Sequence, residues 1–311
     1  MKRKKEGHKN LVLWSSFEIM GKIMKTFFIN LAGCIVKMQL VNDITISEKL
    51  QPFLFQGTPT RVDAVLDVRD CMQLPNLGED GVWMGSNYYV YHEKELRVFH
   101  VNEVGSSPFA VTCFQEDGNV SLLYLKEYEH YFTGSSGIFN KIGAEQLLLQ
   151  QGRLLLHASF VKYNGNGILF SGPSGIGKST QADLWKRTMG AEIINGDRAA
   201  VGLSDEGWTA WGIPYAGTSG ICHNESAPLL AIVVLRQAKE NRICKLSPVE
   251  ALRHLYPEVT IHQWDAKFIE KVTCLLTKLI SAVPVFLLEC LPDESAVAIL
   301  QEKVSKNSYV T

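Results

Sequence analysis

Gly172-Pro173-Ser174-Gly175-Ile176-Gly177-Lys178-Ser179 decides how the rest of this 311-residue chain is read. The stretch fits G-x-x-x-x-G-K-[ST], the pattern of a phosphate-binding loop. Glycines at Gly172, Gly175 and Gly177 allow positive φ and a close approach of backbone to a phosphate. Lys178 supplies a point charge for β- and γ-phosphates, and the Ser179 hydroxyl is a ligand type for Mg²⁺. Gly167 to Ser171 reads as a buried strand before the loop, and Thr180 to Arg187 as a helix after it. The positive end of that helix adds to the anion site. The expected contacts to a nucleoside triphosphate, ATP, therefore run from Gly172, Pro173, Ser174, Gly175, Ile176 and Gly177 through Lys178, Ser179 and Thr180.

Working outward, Arg153 to Val161 reads as a strand and Asn164-Gly165-Asn166-Gly167 as a turn, so a hairpin feeds the loop. An ordinary doubly wound nucleotide-binding sheet reaches its loop through a crossover or begins with it. Downstream, the apolar stretch Ile193-Ile194-Asn195 runs into Gly196-Asp197-Arg198. An acid at a strand end after such a loop is placed to orient a metal or a nucleophile. Strands are expected at Ala199–Leu203, Trp208–Ile213, Leu229–Leu235 and Val283–Leu288, and helices at Phe139–Gln151, Ser247–Leu255, Ala266–Ser281 and Glu294–Val304. Ser247 and Glu250 have capping-box spacing.

The first half reads differently. Phe27–Leu31 and Cys34–Leu40 flank Ala32-Gly33, and short alternating segments follow at Arg61–Val68, Asn87–Tyr91, Leu96–Val101, Phe109–Phe114 and Val120–Leu125. This spacing predicts an antiparallel β domain. His92, His100 and His130 lack metal-ligand spacing and read as surface or packed strand residues.

Composition bounds the rest. Hydrophobic residues make up 46% and charged residues 20%, with Lys+Arg 31 against Asp+Glu 32, so no global charge draws the chain to nucleic acid or an anionic membrane. The cysteines number 7, are scattered and include no C-x-x-C, which points to a reducing cytoplasm rather than a zinc site or a disulfide framework. The apolar run Val272–Leu291 is broken by Lys278, Pro284 and Glu289, so no transmembrane helix is expected. Lys2-Arg3-Lys4-Lys5 and the mixed run after it read as a disordered or basic leader over residues 1–25.

His157-Ala158, the hairpin, Gly172–Ser179 and Asn195-Gly196-Asp197-Arg198 together resemble the catalytic domain of the HPr serine kinase/phosphorylase family. That family shares its nucleotide-binding core with phosphoenolpyruvate carboxykinases. The likeness spans roughly residues 135–305, and is nearest to the HPr-kinase-related proteins, some of which accompany peptide-modifying gene clusters. It implies a carboxykinase-like P-loop kinase domain with a mixed sheet over 135–306, which, with the β-rich N-terminal domain read over residues 26–134, makes an α/β chain. It further implies that Asp197 orients or deprotonates an acceptor hydroxyl, that His157 lies by the transferring phosphate and that Arg198 pairs with charge there. Lys178 belongs to the same catalytic set, and Ser179 and Asp197 would hold Mg²⁺. The family has an aspartate where this chain has Gly196, and its later Glu-bearing metal segment is not visible in Trp211–Gly217; Glu225 is the candidate substitute.

The expected activity is Mg²⁺- and ATP-dependent phosphorylation of a hydroxyl, serine by preference, on a protein or peptide. A small-molecule kinase of carboxykinase type and a non-catalytic nucleotide-binding regulator stay open. No nucleic-acid or membrane partner is expected, and a homo-oligomer is left open.

Overall fold

The computed structural model describes residues 25–40, 45–77, 80–85, 87–92 and 95–307. The leader expected over residues 1–25 lies outside the described residues except for Lys25. The chain is α/β, with two mixed sheets and several helices.

The first sheet begins with β1 (Lys25–Leu31) and β2 (Cys34–Leu40), joined by the expected tight turn at Ala32-Gly33. Both turn residues have positive φ, 53° and 80°, and Asn30 Oδ1 accepts from the Gly33 N–H at 2.9 Å. Next come β3 (Ala64–Cys71), β4 (Val82–Met84), β5 (Asn87–His92), β6 (Glu95–His100), β7 (Ala110–Gln115) and β8 (Val120–Leu125). They assemble in the order β1-β2-β3-β8-β7-β6-β5-β4. β3 runs parallel to both β2 and β8, so the sheet is mixed where the sequence pattern suggests an antiparallel one. Alternation of polar and apolar residues reports which face is buried and carries no information on strand direction.

The helix expected over Phe139–Gln151 is two: α1 (Ser135–Lys141) and α2 (Ala144–Gln150). Gly143 divides them at φ +55°, a left-handed conformation that breaks the helical run. Ile138, Phe139, Leu147 and Leu148 pack into one cluster with Met38, Leu66 and Leu122 of the first sheet. Trp211 of the second sheet and Ile213 just beyond its strand join the same cluster.

The second sheet contains β9 (Arg153–Tyr163), β10 (Asn166–Ser171), β11 (Glu192–Asn195), β12 (Arg198–Ser204), β13 (Gly207–Gly212), β14 (Ser226–Gln237), β15 (Arg242–Lys245) and β16 (Val285–Cys290). Its order is β10-β9-β12-β13-β14-β16-β15, with β11 also on β9 and β10 also on β14. Strands β9, β12, β13, β14 and β10 thus form a closed hydrogen-bonded ring. Two long strands make this possible: β9 has 11 residues and β14 has 12, and each changes neighbours along its length.

Helices cover this sheet on both faces. On one side lie α3 (Lys178–Met189) and α6 (Glu294–Asn307); on the other lie α4 (Pro248–Leu255) and α5 (Ala266–Ala282). Successive residues of one strand serve opposite layers: Ile168 and Phe170 pack with Trp185 and Leu300, while Leu169 packs with Leu255 and Leu276. This explains the unbroken apolar runs in β10 and β14. Each fully buried side chain of this kind contributes about 1.5–3 kcal/mol. The Ser247–Glu250 capping box forms at the start of α4, and Asp265 caps α5 through the Phe268 N–H.

Candidate functional site

β9 and β10 form the expected hairpin across Asn164-Gly165, in register Tyr163↔Asn166 through Ala158↔Ser171. The chain leaves β10 at Ser171 and turns through Gly172–Gly177 into α3. Gly172, Gly175 and Gly177 take φ of +142°, +78° and +117°, a region that disfavours any side chain. At Gly175 and Gly177 a Cβ would meet nothing within 4 Å, so the backbone there borders open space. Gly177 precedes the first residue of α3, a helix of 12 residues with no acid in its first turn, so nothing local neutralises its positive end.

Lys178 is buried and folds back on the loop, donating to Gly172 O at 2.7 Å and Pro173 O at 3.1 Å. Burial lowers its pKa, against the pull of Glu258 and Asp197, which raise it. Ser179 and Thr180 are exposed on the first helical turn.

Beside the loop, β9 presents His157, whose register partner on β12 is Arg198. The Ala158 N–H donates to Asp197 O at 3.0 Å, which fixes Asp197 next to that end of β9. His157 Nε2 lies 3.7 Å from Asp197 Oδ1, and Arg198 Nε lies 3.5 Å from Asp197 Oδ2. An Nη atom of Arg198 donates to Thr260 Oγ1 at 3.2 Å. His157, Asp197 and Arg198 are thereby gathered, and Lys178 shares their electrostatic environment through Asp197 and Glu258.

Glu225 is not gathered with them. It accepts from Lys162 Nζ at 2.8 Å. Lys162 pairs with Gly167 near the start of β10, whereas the loop leaves from its other end at Ser171. Glu225, expected as a substitute metal ligand, thus pairs with Lys162 at the end of β10 away from the loop. Among the described residues no group of three or more His, Cys, Asp or Glu is arranged to hold a metal ion. A magnesium ion on a triphosphate asks for less, one or two protein oxygens beside phosphate and water. Ser179 is exposed on the first turn of α3 and the Asp197 side chain is about a third exposed, and both carry oxygens of the kind such an ion takes.

Three further residues shape the site. Asn195 is fully buried: its Oδ1 accepts from the N–H groups of Asp197 at 2.9 Å and Arg198 at 3.0 Å, and its Nδ2 donates to Ile213 O and Tyr215 O, each at 2.9 Å. It clamps the Asp197-Arg198 link to the neighbouring 213–215 segment. Ser219 fills the space beside Gly196, where a Cβ would stand 2.0 Å from Ser219 Oγ. A side chain at position 196, a carboxylate included, would require Ser219 to move. Glu258 comes from the turn after α4, 101 positions along the chain from His157, and its Oε2 lies 3.0 Å from His157 Nδ1. No local pattern around Tyr256-Pro257-Glu258 marks it, because the partner it needs is supplied by another layer of the fold.

The described residues include no helix long and apolar enough to cross a membrane. All seven cysteines are free thiols. Compared with known proteins, residues 144–291 match the family model described as SynChlorMet cassette protein ScmC. No curated protein matches the chain. Among solved structures, that of the Hpr(Ser) kinase/phosphatase from Coxiella burnetii is similar over 50% of this chain and 89% of that one, at 15% identity and a TM-score of 0.28. A likeness at that score carries no weight for function.

Proposed function

We propose that this chain is a phosphotransferase that binds ATP with Mg²⁺ and phosphorylates a hydroxyl, serine by preference, on a protein or peptide. One observation carries the reading: a glycine loop open at Gly175 and Gly177, closed at its base by buried Lys178, lies beside the partly exposed Asp197–His157 pair. The fit to a triphosphate rests on that open backbone and on Lys178, whose charge is held at the loop rather than spent on a carboxylate.

Bound there, Mg-ATP would supply the phosphoryl group and the charge that the loop is built to meet. The chain's own contribution is positioning and electrostatics. Loop residues 172–177 and Lys178 would hold the phosphates, and Ser179 and Asp197 would hold the ion. Asp197, steadied by Arg198 and by the Asn195 clamp on its backbone, would accept a hydrogen bond from the acceptor hydroxyl. Free thiols throughout are in keeping with a reducing cytoplasm.

The second reading is a nucleotide-gated regulator without transfer chemistry, favoured by Ser219 occupying the space at Gly196. The test incubates purified protein with γ-labelled ATP and a lysate of its own host. Label on a polypeptide, acid-stable and alkali-labile, is the expected result. Label on a small molecule moves the acceptor to that class, and ATP binding with no transfer supports the regulator. Asp197→Asn should cut turnover by ~10²-fold or more; nucleotide binding that survives assigns Asp197 to the acceptor hydroxyl, binding that falls with turnover assigns it to the ion, and equal turnover would remove Asp197 from the chemistry.

A further inference from the structure

Gly217 lies against the Asp197 side chain. An ideal Cβ on it would stand 2.7 Å from Asp197 Cβ, 2.8 Å from Cγ and 3.0 Å from Oδ1, the oxygen that faces His157. Among the described residues it is the one glycine at positive φ whose Cβ would come closer than 3.0 Å to another residue. Gly217, at φ +51°, opens the single 3₁₀ turn Gly217–Ser219, and Gly220, at +71°, closes it. At Gly220 a Cβ would meet nothing within 4 Å, so the two glycines share a left-handed backbone and differ in what a side chain would strike. The turn is anchored away from Asp197. Ala216 and Cys222 are buried in the cluster that holds Met38 and Leu66 of the first sheet, and the Tyr215 hydroxyl donates to Phe139 O of α1 at 3.1 Å. Asn195 Nδ2 donates to Tyr215 O at 2.9 Å, and Ser219 Oγ donates to Ala216 O at 2.9 Å. The Asp197 side chain, about a third exposed, is the freer partner.

We infer that Gly217 is a positioning residue: its bare Cα leaves the space in which the Asp197 carboxylate stands between His157 and Arg198. The inference deepens the proposed phosphotransferase reading and rests on it for the work Asp197 does. A methyl group at position 217 would overlap Asp197 Cβ as well as the carboxylate. Rotation about χ1 clears Cγ and Oδ1 but leaves Cβ where it is, so the carboxylate moves whether the side chain turns or the backbone shifts. The Asp197 backbone gives little, because its N–H donates to Asn195 Oδ1 and its carbonyl accepts from the Ala158 N–H. Misplacing by about 1 Å a group that must meet a hydroxyl or an ion costs on the order of 10²-fold in rate. The first sheet thereby takes part in the site, since its core seats the turn against which Asp197 rests.

The first measurement needs no nucleotide. The side-chain carboxyl resonance of Asp197 is recorded in full-length protein labelled with ¹³C-aspartate and assigned by its loss in Asp197→Asn. It should shift in Gly217→Ala and stay in Gly220→Ala, whose backbone strain is of the same kind. A resonance unmoved in Gly217→Ala, or moved equally in both variants, overturns the inference. Stability gives a second reading should Gly217→Ala fold poorly. Its urea midpoint should fall further than that of Gly220→Ala, and Asp197→Gly, which removes the opposing Cβ, should recover the excess. An excess that persists in the double variant overturns the inference. With a labelled acceptor in hand, Gly217→Ala should lower turnover by ~10²-fold, in the same parameter, kcat or KM, that Asp197→Asn moves, while Gly220→Ala stays near the unaltered protein. Added to Asp197→Asn, Gly217→Ala should cost nothing more; losses that multiply would show that Gly217 acts apart from Asp197 and overturn the inference. Absence of transfer by the unaltered protein counts against the phosphotransferase reading alone, because the resonance and the urea midpoints decide the positioning without turnover.

Discussion

His100 in the first sheet and His157 in the second are both strand histidines with two polar neighbours, yet the sheets treat them in opposite ways. His100 is buried, with Nδ1 2.8 Å from Asn87 Oδ1 and Nε2 2.8 Å from Thr112 Oγ1. Both partners are uncharged, and burial pushes its pKa down to about 3. His157 is partly open and stands between two carboxylates. A sheet that seals its polar groups into satisfied pairs uses them for folding, whereas one that leaves them half open beside a gap in the backbone has them available for chemistry. The same contrast holds among the lysines: Lys162 ends in an ordinary ion pair with Glu225, while Lys178 is held on the carbonyls of its own loop.

The largest expected effect comes from removing the charge at the loop. Lys178→Ala should lower triphosphate affinity or turnover by at least about 10²-fold, the scale for losing one preorganised charge donor at a phosphoryl group. Thermal stability of the first sheet should be unaffected. Isothermal titration with ATP and its non-hydrolysable analogue checks this, and unchanged binding and turnover would sink the phosphate-loop reading.

A smaller effect is expected at the link between β11 and β12. Gly196→Ala should destabilise the protein by about 1–3 kcal/mol, the usual cost of overpacking. The new Cβ would stand 2.0 Å from Ser219 Oγ and 2.7 Å from Ser219 Cβ. Combining it with Ser219→Gly should recover most of the loss, a coupling that a double-mutant cycle in urea reads directly. Purely additive costs would show that the two residues do not compete for that space.

The smallest concerns His100 and has a definite sign. Because its folded pKa of about 3 lies below the ordinary value of 6.5, the unfolded chain takes up a proton that the folded chain refuses. Its contribution is complete above about pH 6.5 and is lost as pH falls toward 3. Within that window it should steepen the acid dependence of unfolding free energy by about 1.4 kcal/mol per pH unit. His100→Gln should flatten the slope by that amount between pH 6 and 5, measured by urea titration. Identical slopes would mean that His100 is not sealed as described.

The sequence by itself determined the features that depend on residues a few positions apart. The positive-φ glycines of the 172–177 loop, the Asn164-Gly165 hairpin turn and the Ser247–Glu250 capping box were all legible, because positive φ and capping are local demands with local residue preferences. Alternating burial located strands of the first sheet, since period 2 is a property of the strand alone, and unbroken apolar runs located β10 and β14 of the second. Gly143 was legible only as a glycine, and its role in splitting the helix over 139–151 emerged from its packing near Phe114. The tertiary structure alone decided strand direction in the first sheet, the commitment of Glu225 to Lys162, the filling of the space at Gly196 by Ser219 and the arrival of Glu258 behind His157. Each of these joins segments from different strands, turns or layers. A hydrogen bond or steric contact across such a gap leaves no periodicity in the chain, because its geometry is set by how the layers pack and not by the spacing of residues along them.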